Sequence, residues 1–437
     1  MYSGKVAEIL RKNKIEVGDR VKIVKSGKRY EGILMPRTKT SEMGYVAIKL
    51  DNGYNIGIEF TDAKISKLTD LPFRQAAAKG KLKFSSKNPL VSLISTGGTI
   101  TSKVDYKTGG VTSLASPEEL LNKVPELADF VRIRIQNPFT VMSESMMPEH
   151  WQELAKTAVK ELKHSEGVII AQGTDTLHYT AAALSFMLRD VGKPVVITGS
   201  QRSTDRGSSD GFINLLCSAR LAVSDMAGVG VCMHGTVNDD YCLFIRGTRV
   251  RKMHTSRRDA FRPINDLPLA RVWPDGNIER IQDVPKRSKT AAKADTSFEK
   301  KVAIVKSYPG CSPSVVDHYV RNGYRGIVIG ASGLGQIPTY GKDSWLDTIK
   351  KATDKGVVVC AAAETLYGRL NPSVYAEGRM ARDAGMLYLE DMSMETAYVK
   401  LGWVLGHTKS PEKAMEMMLR NYAGEISERS LGGTFLY

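Results

Sequence analysis

The chain has 437 residues, 42% hydrophobic and 25% charged, with a formal net charge of +15. Its length exceeds one ordinary core and implies about two or three domains. No apolar run reaches the ~20 residues of a membrane helix, and the charged start has no apolar signal core, so a cytoplasmic protein with no membrane partner is expected.

The basic surplus suits contact with a polyanion without reading any sequence. A lysine-rich surface serving solubility accounts for it equally. Five cysteines without a C-x-x-C pair and seven dispersed histidines predict reduced, buried thiols and no metal site built by this chain.

Residues 1–72 differ in texture from the rest. Val21 and Ile23 alternate with charged neighbours, and a second short run ends at Pro36. Val46, Ile48 and Leu50 alternate toward Asp51-Asn52-Gly53, and Tyr54, Ile56 and Ile58 alternate back. An Asn-Gly pair between alternating runs is a strong hairpin signal. Short strands with tight turns predict a small β-barrel domain over 1–72. Residues 73–88 carry Arg74, Lys79, Lys81, Lys83 and Lys87 without an acid, and read as a basic linker.

From 89 to 283 apolar runs alternate with helical patterns, the order of a mainly parallel α/β sheet. Val91–Ile94 has the composition of a buried strand. It ends at Gly97 and Gly98, where the backbone can turn sharply, with Thr99 just beyond. Open α/β sheets place their sites at such carboxyl ends, and the G-x-x-x-x-G-K-[ST] spacing of a phosphate loop is absent. About 75 residues on, 167–176 repeats the theme: strand, glycine, then Thr174 with Asp175 beside it. Trp151, Leu154, Ala155, Ala158, Val159 and Leu162 fall at helical spacing, with Pro148 near the start. Residues 284–300 form a second linker, and from 301 to 437 the α/β rhythm restarts as a smaller domain.

Thr96–Ile100 reads T-G-G-T-I and Gly173–Thr176 reads G-T-D-T. The pair resembles the asparaginase/glutaminase family, whose two signatures these are. The resemblance covers about 89–437 and implies two asparaginase-like α/β domains. It implies Thr99 as the acyl-accepting nucleophile, with Thr174, Asp175 and Lys252 as the second catalytic group; which threonine attacks first stays open. Lys252 closes the cationic segment 246–252, which by itself reads as a basic surface loop. Tyr106 takes the place of the family's lid tyrosine. Ser143 and Glu144, in Val-Met-Ser-Glu-Ser-Met, take the place of its substrate-binding Ser-Gln; a helix cap before Pro148 is the other reading of Ser143 or Ser145. Segments 331–335 and 364–369 are further possible contributors.

End to end, including the added N-terminal segment and basic linkers, the chain resembles the D-type subunits of archaeal glutamyl-tRNA(Gln) amidotransferases. That resemblance implies release of ammonia from glutamine or asparagine for a partner, the E-type subunit of the same amidotransferase. The partner would use ATP and Mg to convert Glu-tRNA(Gln) into Gln-tRNA(Gln), and this chain would bind no cofactor itself. It also implies a homodimer within a heterotetramer of two D-type and two E-type subunits. The alternatives are a free-standing L-asparaginase with an accessory barrel, and a scaffold or RNA-binding protein on a dead amidase fold.

Overall fold

The computed structural model describes residues 2–36, 44–50, 54–68, 84–97, 103–104, 111–112, 121–122, 124–204 and 206–437. At the amino-terminal end α1 (Gly4–Lys12) precedes five strands: β1 (Arg20–Lys25), β2 (Lys28–Leu34), β3 (Tyr45–Lys49), β4 (Asn55–Glu59) and β5 (Lys64–Lys67). They form one antiparallel sheet in the order β4-β3-β2-β1-β5. The period-two alternation drives it, because Val21, Ile23, Val46, Ile48, Ile58 and Ile65 all face one core. β3 pairs with β4 from Tyr45↔Glu59 to Lys49↔Asn55, so the hairpin is present, although its turn at 51–53 lies outside the described residues.

The expected barrel is not closed. β4 and β5 are the two edges of the sheet and share no ladder among the described residues. Val6 and Leu10, four apart on α1, bury themselves in the same core instead. A helix covers what strand closure would have covered, and the alternation of strands cannot distinguish the two solutions.

The large unit comprises β6 (Leu90–Ser95), β7 (Lys103–Val104), β8 (Val111–Thr112), α2 (Leu127–Phe130), β9 (Arg132–Gln136), α3 (Pro148–Leu162) and β10 (Gly167–Ala171). It continues through α4 (Leu177–Met187), β11 (Pro194–Thr198), α5 (Gly211–Ala222), β12 (Gly228–His234), β13 (Cys242–Arg246) and β14 (Val250–Lys252). It ends with β15 (Phe261–Pro263), β16 (Ala270–Val272) and β17 (Ile278–Arg280). The eight-stranded sheet runs β17-β16-β13-β12-β11-β10-β6-β9. β9, β6, β10, β11 and β12 are parallel, and β13, β16 and β17 continue antiparallel. After β6 the chain adds β9 on one side and β10 on the other. The order therefore reverses there, and a crevice opens beyond the strands' carboxyl ends.

The segment expected to link the two units is held down along its length. Arg287 donates to the carbonyls of Ala222 and Ser224 at the end of α5 and to Glu166. Beyond it lie β18 (Val302–Lys306), α6 (Ser314–Arg321), β19 (Gly326–Ala331), α7 (Leu346–Asp354) and β20 (Val358–Ala363). α8 (Ala376–Asp383), β21 (Leu387–Ser393), α9 (Met394–His407) and α10 (Pro411–Leu419) complete it. Its four strands are parallel in sequence order. α9 is apolar on nearly every side and is buried between the units. Trp403 of α9 stacks on Phe186 of α4 with ring centroids 5.9 Å apart. One hydrophobic core thus joins the helices of both sheets.

Candidate active site

β6 and β10 end side by side, Ser95 opposite Ala171. The Thr96 amide still bonds to Ala171 O at 3.0 Å. Gly97 then adopts φ +97°, a backbone turn that L side chains resist. Thr99 and Tyr106 lie outside the described residues.

The neighbouring turn, 172–176, is built around close approaches. A Cβ on Gly173 would stand 2.9 Å from Ser143 Cβ, and one on Gly199 would stand 2.9 Å from Thr174 Cγ2. The glycines let two loops close on Thr174, which is 6% exposed. Thr176 Oγ1 donates to Ser143 O at 2.5 Å, and the Val141 amide donates to Thr96 O at 2.9 Å. Both strand-end turns therefore hold the 141–146 segment. Ser143–Ser145 is a short 3-10 turn, with Ser143 buried and Glu144 exposed. Neither serine caps α3; the Met147 amide there donates to His150 Nδ1 at 2.9 Å, and Pro148 occupies the first turn.

Lys252 arrives from the end of β14. Its Nζ donates to Thr174 Oγ1 at 2.9 Å and to Asp175 Oδ1 at 2.7 Å. The lysine side chain is 10% exposed and that of Asp175 66% exposed. An ammonium sits between a buried hydroxyl and a carboxylate that opens to solvent. A hydroxyl so placed can pass its proton to the amine once that amine is neutral. The structure thus brings together Ser143, Thr174, Asp175 and Lys252, with Glu144 at the rim.

Three features of the site carry no clear mark in the sequence. Gln172 is 1% exposed, and neither of its amide atoms has a partner among the described residues. Its place between a strand and Gly173 is the available signal. His178, in the first turn of α4, is held down to about 3, first by burial and then by the charges of Arg251 and Lys252, with Asp175 opposing. Arg251 pairs with Glu395 across the two units at 3.0 Å. Among the described residues, no group of three or more His, Cys, Asp or Glu converges as metal ligands would.

Residues 90–285 match the family "Asparaginase, N-terminal", and 301–418 match "Glutaminase/Asparaginase C-terminal domain". The fold is shared with the thermostable L-asparaginase from Thermococcus kodakarensis. That match has TM-score 0.70 and 30% identity over 78% of this chain and 100% of that one. L-asparaginase I from Vibrio cholerae gives 0.67 and 28%, over 78% and 99%. Fold and site together define an asparaginase-type amidohydrolase.

The amino-terminal sheet narrows this further, because 15–68 match the "GatD N-terminal domain". The D-type subunit of glutamyl-tRNA(Gln) amidotransferase from Pyrococcus furiosus is 50% identical, over 99% of this chain and 100% of that protein. Its counterpart from Methanothermobacter thermautotrophicus is 46% identical, over 98% of each. The chain belongs to the family of glutamyl-tRNA(Gln) amidotransferase D-type subunits.

Proposed function

We propose that this chain hydrolyses the side-chain amide of glutamine, or asparagine, and delivers the ammonia to a partner, the E-type subunit of the amidotransferase. That partner uses ATP and Mg to activate the γ-carboxylate of Glu-tRNA(Gln), which the ammonia converts to Gln-tRNA(Gln). This chain binds neither ATP nor Mg, and it works as a homodimer in a cytoplasmic heterotetramer of two D-type and two E-type subunits. The β-sheet unit over 1–72, the linkers 73–88 and 284–300, and the α/β domains 89–283 and 301–437 are its working parts.

In this reading Thr99 Oγ adds to the carboxamide carbon and loses its proton. The nitrogen takes up a proton and departs as ammonia, leaving an acyl ester. Water then attacks the ester and releases glutamate, or aspartate, with its proton returning to Thr99. Thr174, Asp175 and Lys252 form the proton-handling group, and Lys252 acts as base only when neutral. Ser143, Glu144 and Tyr106 hold the amino-acid end and cover it. The observation that carries this reading is the convergence of Lys252 on both Thr174 and Asp175.

The test measures ammonia release from glutamine by the full chain alone, then with the E-type partner, ATP, Mg and Glu-tRNA(Gln). Release that rises on assembly, with Gln-tRNA(Gln) formed, supports the proposal. Rapid release indifferent to all of them supports instead a free-standing L-asparaginase. That second reading is favoured by the complete coverage of the Thermococcus L-asparaginase by this chain.

A further inference from the structure

The strand that carries Lys252 is fastened by the carboxyl-terminal unit. Thr248 Oγ1 donates to Ala423 O at 2.9 Å, and Thr396 Oγ1 donates to Thr248 O at 2.9 Å. Arg249 and Asp391 form an ion pair at 3.2 Å with both side chains 2% exposed. The same guanidinium donates to Asp391 O, Gly424 O and Ser427 Oγ. Arg251 Nη2 then reaches Glu395 Oε1 at 3.0 Å, in the first turn of α9. Successive side chains of a strand point to opposite faces. Arg251 therefore holds β14 from behind while Lys252 reaches forward to Thr174.

A lysine has a flexible four-carbon stem. Keeping its nitrogen on two partners demands a fixed backbone at its root, and a displacement of about 1 Å at a reacting group can cost ~100-fold in rate. Arg249 and Asp391 are buried deeply enough to serve the fold itself. Arg251 is 26% exposed and adjoins Lys252, whereas the Glu395 side chain is 9% exposed in the first turn of α9, so the bridge runs from the buried end of that helix to the strand that carries Lys252. We infer that Glu395 is a positioning residue, contributed by the carboxyl-terminal unit, which sets Lys252 through the Arg251 bridge. The inference rests on the reading of Lys252 as a catalytic group.

The test is glutamine hydrolysis by the full-length chain carrying Glu395→Leu, Glu395→Gln or Lys252→Met. Leucine fills the space without accepting a hydrogen bond; glutamine still accepts one. Glu395→Leu should lower kcat about ten-fold or more with KM within about two-fold, and Glu395→Gln should recover most of that loss. Parental kcat in the leucine variant, or an equal loss in both variants, overturns the inference. If the leucine variant does not fold, Thr396→Val is read the same way. It removes the hydroxyl that donates to Thr248 O and accepts from Ser393 Oγ, so a lowered kcat supports the clamp and an unchanged one overturns it. Full turnover by Lys252→Met would remove the reading of Lys252 and the inference with it, whereas loss there combined with an indifferent Glu395→Leu removes the inference alone.

Discussion

Lys252 Nζ stands 2.9 Å from Thr174 Oγ1 although 78 positions separate them in the chain. The contact joins the carboxyl end of a parallel strand to the two-stranded antiparallel ribbon that β14 forms with β15. Lys252→Met should abolish most amide hydrolysis, by about 100- to 10,000-fold, the range of a lost acid–base group. Folding should barely change, since the partner carboxylate is well exposed and such pairs contribute about 0–1 kcal/mol. Steady-state kinetics and a thermal melt on the same preparation check both halves. A large fall in melting temperature would mean that Lys252 serves the fold.

Gly173 is required for space. A Cβ there would crowd both Ser143 Cβ and Oγ, at 2.9 and 3.0 Å. Gly173→Ala should therefore push the 141–146 segment away from Thr174, lowering activity and costing about 1–3 kcal/mol by overpacking. Removing the opposing Cβ in Gly173→Ala/Ser143→Gly should recover much of the stability. Urea unfolding of the two single variants and the double variant measures this. Additive losses would show that the crowding lies elsewhere.

The two glycine-rich turns were legible because strand, glycine and hydroxyl are local in sequence, and the fold then set Ser95 beside Ala171. Pro148 marked the start of α3 for an equally local reason, its missing N–H. The closure of the amino-terminal sheet was not legible, because Val6 and Leu10 compete for the same core face from outside the strands. The antiparallel extension by β13, β16 and β17 was missed too, since short apolar runs carry no mark of direction. Lys252 was placed by family likeness alone; its segment reads as a basic loop until Arg249 and Arg251 find Asp391 and Glu395 in the other unit.

His178 should make stability depend on pH. Its imidazole is held down to about 3 by burial, from the ordinary 6.5. Above about pH 6.5 native and unfolded chains are both neutral there and the group contributes no slope. As pH falls below that value the unfolded chain takes up a proton that the native one refuses. Stability therefore drops, by up to about 1.4 kcal/mol per pH unit. His178→Gln should flatten this part of the profile in urea unfolding between about pH 6.5 and 4. Parallel profiles for parent and variant would show that the histidine is charged or solvated in the native state.

Lys400 and Glu425 form an ion pair at 2.7 Å with both side chains 0% exposed. Burial lowers the lysine's pKa, and the adjacent carboxylate opposes the shift. Lys400 Nζ also donates to Met418 O and Arg420 O, while Glu425 accepts from the Tyr422 and Ala423 amides. The pair thus shapes the loop whose Ala423 and Gly424 carbonyls receive Thr248 and Arg249. Lys400→Met strands a buried carboxylate and should cost about 3–5 kcal/mol. Adding Glu425→Gln removes the stranded charge while keeping an acceptor for the loop amides, so the double variant should be more stable than Lys400→Met alone. Denaturant unfolding of the full cycle measures the coupling. If the double variant is no more stable than Lys400→Met, the stranded charge is not what makes the single substitution costly, and the lost carbonyl bonds to Met418 and Arg420 account for it instead.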